Sequence, residues 1–220
     1  MAAPVAVVNS QITVIGDVER PGSYPATAKV SEILVAAGGL GPSAYPLGAV
    51  LLRPAYLEAL PSSCLQRSAQ VLQAQLSLSP GLASGQLDAL IQATAVGQMQ
   101  RLPVEVDRAV LAVAPDRDTL LGGGDVLFIP SRPQTVAVLG DAPLGLQVFR
   151  HAPGHLAEDY LVPGLSPRFS RRRHTLYLPN GSLQPLQLSY WNYRKEVVPP
   201  GSVILVEPPS SRQERLGCQG

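Results

Sequence analysis

The densest group of side chains that could bind a ligand is basic, and it lies in the second half of the chain. It comprises Arg168, Arg171, Arg172, Arg173 and His174. Closely spaced guanidinium groups attract acidic polysaccharides and phosphate head groups, so the cluster is a candidate ligand-binding surface. A run of charge on a loop is more often simply solvated, however, and we favour that interpretation for this segment.

A second candidate is the most aromatic segment of the chain, which contains Tyr190, Trp191 and Tyr193. Aromatic faces can bury the apolar C–H face of a sugar ring, so Tyr190 and Trp191 are candidate ligand-binding residues. A lone tryptophan in a small domain usually belongs to the core. We therefore favour a packing role for this segment.

Patterns typical of enzymes and metal sites are incomplete in this sequence. His151 and His155 have the spacing of a metal-binding pair on a helix, but Pro153-Gly154 interrupts such a helix. The serine of Gly164-Leu165-Ser166-Pro167 lacks the second glycine of a nucleophile elbow. No glycine-rich loop ends in Lys-Ser or Lys-Thr. We therefore predict a protein without enzymatic activity, bound metal or cofactor.

Composition restricts the choice of partners and compartment. Charged residues make up 15% of the chain and the formal net charge is +1, so bulk charge does not favour nucleic acid. No run approaches the ~18 apolar residues of a membrane helix, and any membrane contact should be peripheral. The segment Met1-Ala2-Ala3-Pro4 lacks the features of a signal peptide, which suits an ordinary start or a mature chain whose leader was removed.

The two cysteines, Cys64 and Cys218, are too few for a disulfide framework and lack the spacing of a metal site. A bridge between them is left open but not favoured, because Cys218 lies in a polar tail.

Short strands and one short helix recur in the same order in the two halves of the chain. The elements of the first copy are a β-branched strand at 12–15, a turn at Pro21-Gly22, a helix at 31–37 with Ser31 or Thr27 as N-cap, a glycine stop at 38–39, and strands at 49–53 and 126–129. Those of the second are a strand at 135–139, a turn at 149–154, a counterpart of the helix at 157–166, a strand at 174–178, an Asn180-Gly181 hairpin and a strand at 203–206. The offset of about 125 residues is too long for a solenoid repeat and suits a duplicated domain.

The first copy carries an insertion of about 45 residues, from Tyr56 to about Gln100. Apolar residues recur in it every three or four positions, before and after a break at Ser79-Pro80-Gly81. This spacing predicts two antiparallel helices, each with one apolar stripe. Strand-like alternation resumes at 102–106.

We therefore predict an α+β fold of two tandem domains. The first spans 1–131 with the helical insert at about 56–100, the second spans 132–209, and 210–220 form a polar tail. The linker Ser131-Arg132-Pro133-Gln134 is short, so the domains should lie close together.

These motifs resemble those of the capsule biosynthesis GfcC family, which contains soluble-ligand-binding β-grasp domains of polysaccharide export proteins. The general export signature is matched by Val14-x-Gly16-Asp17-x-x-Arg20-Pro21-Gly22-x-Tyr24 and Ala36-Ala37-Gly38-Gly39-Leu40. The more specific match is Tyr177-x-Pro179-Asn180-Gly181, followed by Ser189-Tyr190-Trp191-Asn192-x-Arg194 and Pro200-Gly201-Ser202-Val203-Ile204. The resemblance covers essentially the whole chain and implies two tandem β-grasp (ubiquitin-like) domains, the first with a helical hairpin insert.

The resemblance further implies a non-enzymatic periplasmic accessory protein of capsular or exopolysaccharide assembly and export. Its partner would be a polysaccharide or an outer-membrane polysaccharide export protein. An alternative is a structural, ring-forming component of an outer-membrane export complex.

The resemblance also implies an arginine in a pocket at the start of the strand after the insert, and the matching residue is Arg101. A guanidinium offers a planar fork of donors to a carboxylate, a phosphate or vicinal hydroxyls, so Arg101 is a candidate glycan contact. The alternative is a structural arginine that pairs with Glu105, Asp88 or a loop carbonyl.

Overall fold

The computed structural model describes residues 10–26, 28–55, 61–79, 84–140, 145–161, 172–188 and 193–207. The first of its two sheets contains β1 (Gln11–Gly16), β2 (Gly22–Pro25), β3 (Val50–Pro54), β4 (Met99–Leu102) and β5 (Val126–Ile129). Their order across the sheet is β2-β1-β5-β3-β4. Strands β1 and β5 are parallel, and the other neighbours are antiparallel.

The second sheet repeats this topology. It contains β6 (Thr135–Gly140), β7 (Gly145–Arg150), β8 (Arg173–Tyr177), β9 (Leu183–Pro185) and β10 (Val203–Glu207) in the order β7-β6-β10-β8-β9. Strands β6 and β10 are parallel, as β1 and β5 are in the first sheet. The α+β class is confirmed, and two mixed sheets of equal topology are compatible with two tandem domains.

One face of the first sheet is covered by the short helix α1 (Val30–Ala36), which buries Ile33 and Leu34 in a core with Ile12 and Leu127. The predicted N-cap was wrong for Ser31, because the helix begins after Lys29, whose backbone N–H donates to Glu32 at 2.8 Å. The other candidate, Thr27, lies outside the described residues. In the second half, a short 3-10 turn at Ala157–Tyr160 buries its two terminal side chains in the second core.

The two predicted helices of the insert are confirmed as α2 (Ser62–Ser77) and α3 (Ser84–Ala95). Helix α2 packs on both sheets. On one side Leu72 and Leu76 contact a cluster that includes Phe128 of the first sheet. On its other side Val71 and Ala74 meet the second sheet at Ala137 and Val203.

The segment between the insert and β5 differs from the prediction. Strand β4 ends at Leu102, whereas the alternation at 102–106 predicted a strand there. Val104 and Val106 are nevertheless buried in the first core. A further short helix, α4 (Arg108–Val113), was not predicted from the sequence.

Within the described ranges, none of the helices is both long and apolar enough to span a membrane. The predicted tail at 210–220 lies outside those ranges.

Candidate functional site

A cavity of about 340 Å³ lies where α2, α3 and β4 meet the hairpin formed by β8 and β9. We call it the Arg101 cavity. Its lining includes Cys64, Arg67, Ser68, Thr94, Arg101, Tyr177, Gly181 and Leu183. None of the described residues that line it is acidic.

Arg101 reaches this cavity from β4, where it pairs with Leu52 of the neighbouring strand. Its Nη2 donates to the carbonyl of Pro179 at 2.6 Å, and its Nη1 donates to the side-chain oxygen of Gln75. Its Nε is buried and has no hydrogen-bond partner among the described residues. No described carboxylate forms an ion pair with it.

Burial lowers the pKa of Arg101 to about 10, so the side chain stays protonated at neutral pH. A buried cation is costly unless an opposite charge or a full set of hydrogen bonds compensates it. Arg101 has only two neutral oxygens as acceptors, one for Nη1 and one for Nη2, and its Nε has no acceptor among the described residues. The electrostatics of the cavity therefore favour an anionic occupant.

Gln75 connects the parts of this site, and sequence reasoning missed it. The residue is 4% exposed, and its Nε2 donates to the carbonyl of Leu178 at 2.9 Å. Together with Arg101 it joins α2, β4 and the loop after β8. The available signal was a glutamine in the apolar stripe of α2, between Leu72 and Leu76, where an unpartnered amide would be costly.

The sequence also allowed a structural arginine that pairs with Glu105, Asp88 or a loop carbonyl. Arg101 does bond to a loop carbonyl, but it pairs with neither carboxylate. The carboxylate of Glu105 accepts the backbone N–H groups of Val106 and Asp107, at 2.9 Å each. Asp88 is exposed. The contacts of Arg101 thus stabilise the fold while leaving its charge without a described counter-ion.

The predicted Asn180-Gly181 hairpin is confirmed and forms one wall of the cavity, with Tyr177 paired to Leu183 across it. Gly181 has φ of +88°, and a Cβ at this position would lie 2.8 Å from Nε of Arg101. Glycine is therefore required here both by the backbone and by the close approach of the guanidinium.

The basic cluster is only partly a loop. His174 lies in β8, as the predicted strand at 174–178 has it, and the strand begins one residue earlier, so Arg173 is not a loop residue. Arg173 and Arg67 approach the same carboxylate, Glu207, at 3.3 and 2.8 Å, so Arg173 belongs to an ion-pair network beside the cavity. Arg172 is half-buried just before the strand. Neither Arg172 nor Arg173 lines the Arg101 cavity.

The remaining members of the candidate sites have separate positions. Arg168, Arg171, Tyr190 and Trp191 lie outside the described residues, as does the Gly164-Leu165-Ser166-Pro167 segment. Tyr193 packs on the second core, and its hydroxyl donates to Glu158 at 2.8 Å. Among the described residues, no group of three His, Cys, Asp or Glu side chains could hold a metal ion.

Cys64 lies on the wall of the Arg101 cavity and is disulfide-bonded. From the sequence, a disulfide bond was not favoured, and that prediction is wrong for Cys64. Cys218, the only other cysteine of the sequence, lies outside the described residues.

No protein-family model matches this chain, and a comparison with curated proteins finds no significant similarity.

Proposed function

We propose that this chain is a non-enzymatic periplasmic binding protein of capsular or exopolysaccharide assembly and export, and that it recognises an acidic glycan through Arg101. The proposed fold is a pair of β-grasp domains, the first with a helical hairpin insert. The strand order, the central parallel pair and the helix across one face support this assignment for the first sheet. The second sheet supports it through the same strand order.

One observation carries the functional proposal: a buried guanidinium lines a cavity whose described lining contains no acidic residue, and no described carboxylate pairs with it. A uronic acid or another carboxylate-bearing sugar supplies the missing negative charge and an acceptor for Nε. Thr94 and Ser68 line the same cavity and add hydroxyl groups that can both donate and accept. A ligand can reach Nε of Arg101 only if the Asn180-Gly181 turn moves, because Gly181 packs closely on that atom.

The disulfide at Cys64 supports the proposed compartment. Disulfide bonds form and persist in oxidising surroundings, such as the bacterial periplasm, and are rare in reducing cytosol.

The proposal is tested by calorimetric titration of the purified protein with glucuronate-containing oligosaccharides, using neutral maltotetraose as the control ligand. We expect saturable binding of the acidic ligands only. Arg101→Gln should weaken it about 10- to 100-fold, the worth of a charged hydrogen bond. The exposed Arg108→Gln is the matched control and should bind like the wild type.

The circular dichroism and melting temperature of each variant show whether it is folded. Equal affinity of folded Arg101→Gln and wild type for the acidic ligands would refute the role of Arg101. Absence of binding to every acidic oligosaccharide by the wild type would refute glycan recognition in this cavity.

A further inference from the structure

A second cavity, of about 560 Å³, lies on the other flank of the contact between α2 and the second sheet. We call it the Gln70 groove. One wall is formed by Gln70, Gln73 and Ser77 of α2, and the floor by Leu139, Leu146 and Leu205 of the sheet. Arg67 lines both this groove and the Arg101 cavity, so the two meet at its side chain.

The wall and the floor of the groove have different chemistry. Gln70 and Gln73 are exposed, and neither side-chain amide is hydrogen-bonded to another described residue. Leu146 is 48% exposed and pairs with Leu139 of the neighbouring strand β6. Amide groups above an apolar floor suit a sugar ring, because its hydroxyls can bond to the amides while its C–H groups lie on the leucines.

The charges of the two cavities also differ. Among the described residues, the only charged ones that line the groove are Arg67 and Glu207, and these two are paired at 2.8 Å. The groove is therefore close to neutral, whereas the Arg101 cavity holds a cation without a described counter-ion. A second acidic sugar would find no unpaired cation in the groove, whereas a neutral sugar can bind there without leaving any charge unpaired.

The Gln70 groove extends along α2 from Arg67, the residue that it shares with the Arg101 cavity, so neighbouring sugars of one chain can enter both cavities. Gln73 lies six residues beyond Arg67 on α2, which is about 9 Å along the helix axis. One or two sugar rings cover such a span. Hydroxyl and ring oxygens passing between the cavities would lie against the guanidinium of Arg67, which donates further hydrogen bonds.

We infer that the Gln70 groove is a second subsite that takes a neutral sugar adjacent to an acidic sugar held at Arg101. The ligand class is thus a heteropolysaccharide in which acidic and neutral residues are neighbours. This inference rests on the function proposed above.

Four ligands test it by calorimetry: glucuronate, tetragalacturonate, maltotetraose and the hyaluronan tetrasaccharide, in which glucuronate and N-acetylglucosamine alternate. We expect the hyaluronan tetrasaccharide to bind about tenfold more tightly than glucuronate or tetragalacturonate, because the two amides add hydrogen bonds. Maltotetraose should bind weakly or not at all, since it lacks an acid for Arg101.

The variant for the groove is Gln70→Ala with Gln73→Ala. These residues are exposed, so their replacement should leave the protein folded. The ratio of tetrasaccharide affinity to glucuronate affinity should fall to about one. Gln92→Ala, an exposed glutamine of α3 outside both cavities, should keep the wild-type ratio.

The outcomes separate the second subsite from the function on which it rests. Equal affinity for glucuronate and both acidic tetrasaccharides, or tightest binding of tetragalacturonate, would overturn the neutral subsite and leave the acidic site standing. An unchanged ratio in the double variant would also overturn it. If no acidic ligand binds, both the proposed function and the second subsite fail.

Discussion

The cation at position 101 is held by two groups from distant parts of the chain. Its partners are Gln75, 26 residues earlier, and the carbonyl of Pro179, 78 residues later. The family resemblance marked Arg101 as a pocket residue, but no local pattern in the sequence relates it to these partners. The role of Gln75 was equally hidden, because its other contact, the carbonyl of Leu178, lies 103 residues away.

Gly181→Ala should disturb this site directly. The added Cβ would lie 2.8 Å from Nε of Arg101, and the residue would keep a φ of +88°. We expect a loss of about 1–2 kcal/mol in the free energy of unfolding from the backbone alone. Weaker glucuronate binding should accompany it. Urea titration and calorimetry measure the two effects.

Gly122→Ala is the matched control, because a Cβ added there would meet no described atom within 4 Å and its φ is not in the left-handed region. Equal stability and binding of the two alanine variants would contradict the tight packing of Gly181 on Arg101.

The lowered pKa of His174 predicts how the stability of the protein depends on pH. Burial, and then the charge of Arg172, lower the pKa of His174 below its ordinary value of 6.5. The unfolded chain therefore binds the proton more readily than the folded protein. The contribution of His174 to stability should be fully present above pH 6.5 and should be lost as the pH falls below that value.

Urea unfolding of the wild type and of His174→Gln, at pH 7.5 and pH 5, measures this contribution. The fall in the free energy of unfolding between the two pH values should be smaller in the variant. An equal fall in both proteins would show that His174 does not contribute.

At the scale of elements, strong local patterns in the sequence predicted helices and strands correctly. Features that depend on contacts between distant residues could not be predicted from it. Strands β1, β3, β5, β6, β8 and β10 and the two insert helices were predicted, because β-branched runs, glycine turns and apolar stripes are local signals. Strand β7 was not predicted, since its last two residues were assigned to a turn at 149–154. Helix α4 was missed; it has only six residues, and Asp107 caps it by accepting the backbone N–H of Ala109 at 2.8 Å. The first turn of α1, by contrast, is fixed by a residue distant in sequence, since Asp118 accepts both the backbone N–H and the hydroxyl of Ser31.

Helix α2 is the element whose packing has the widest consequences. Leu76 is 3% exposed and packs on the first sheet, so Leu76→Ala should cost about 2–5 kcal/mol. Because the same helix packs on the second sheet through Val71 and Ala74, we expect amide protection to fall in both sheets.

Hydrogen exchange read by mass spectrometry tests this expectation on peptides that contain β1 and β10. Gln66→Ala, an exposed position of α2, is the control and should leave the exchange unchanged. Loss of protection in the first sheet alone would contradict the coupling through α2.

For the whole molecule, the two sheets have equal topology, and helix α2 of the insert packs on both of them. The repeated order of elements could be predicted from the sequence, whereas the position of α2 between the two sheets could not. That position depends on which side of the helix each sheet covers. The Arg101 cavity is a product of this arrangement, because β4 supplies the cation and the β8–β9 hairpin supplies the opposite wall.

We propose above that the buried guanidinium of Arg101 binds the acidic group of a glycan. The most direct measurement is the ¹H–¹⁵N resonance of its Nε, assigned by its loss in Arg101→Lys and followed during titration with the hyaluronan tetrasaccharide. We predict a saturable shift of this resonance, because the carboxylate supplies the acceptor that Nε lacks among the described residues. A resonance that stays unchanged while the ligand binds elsewhere would contradict the claim.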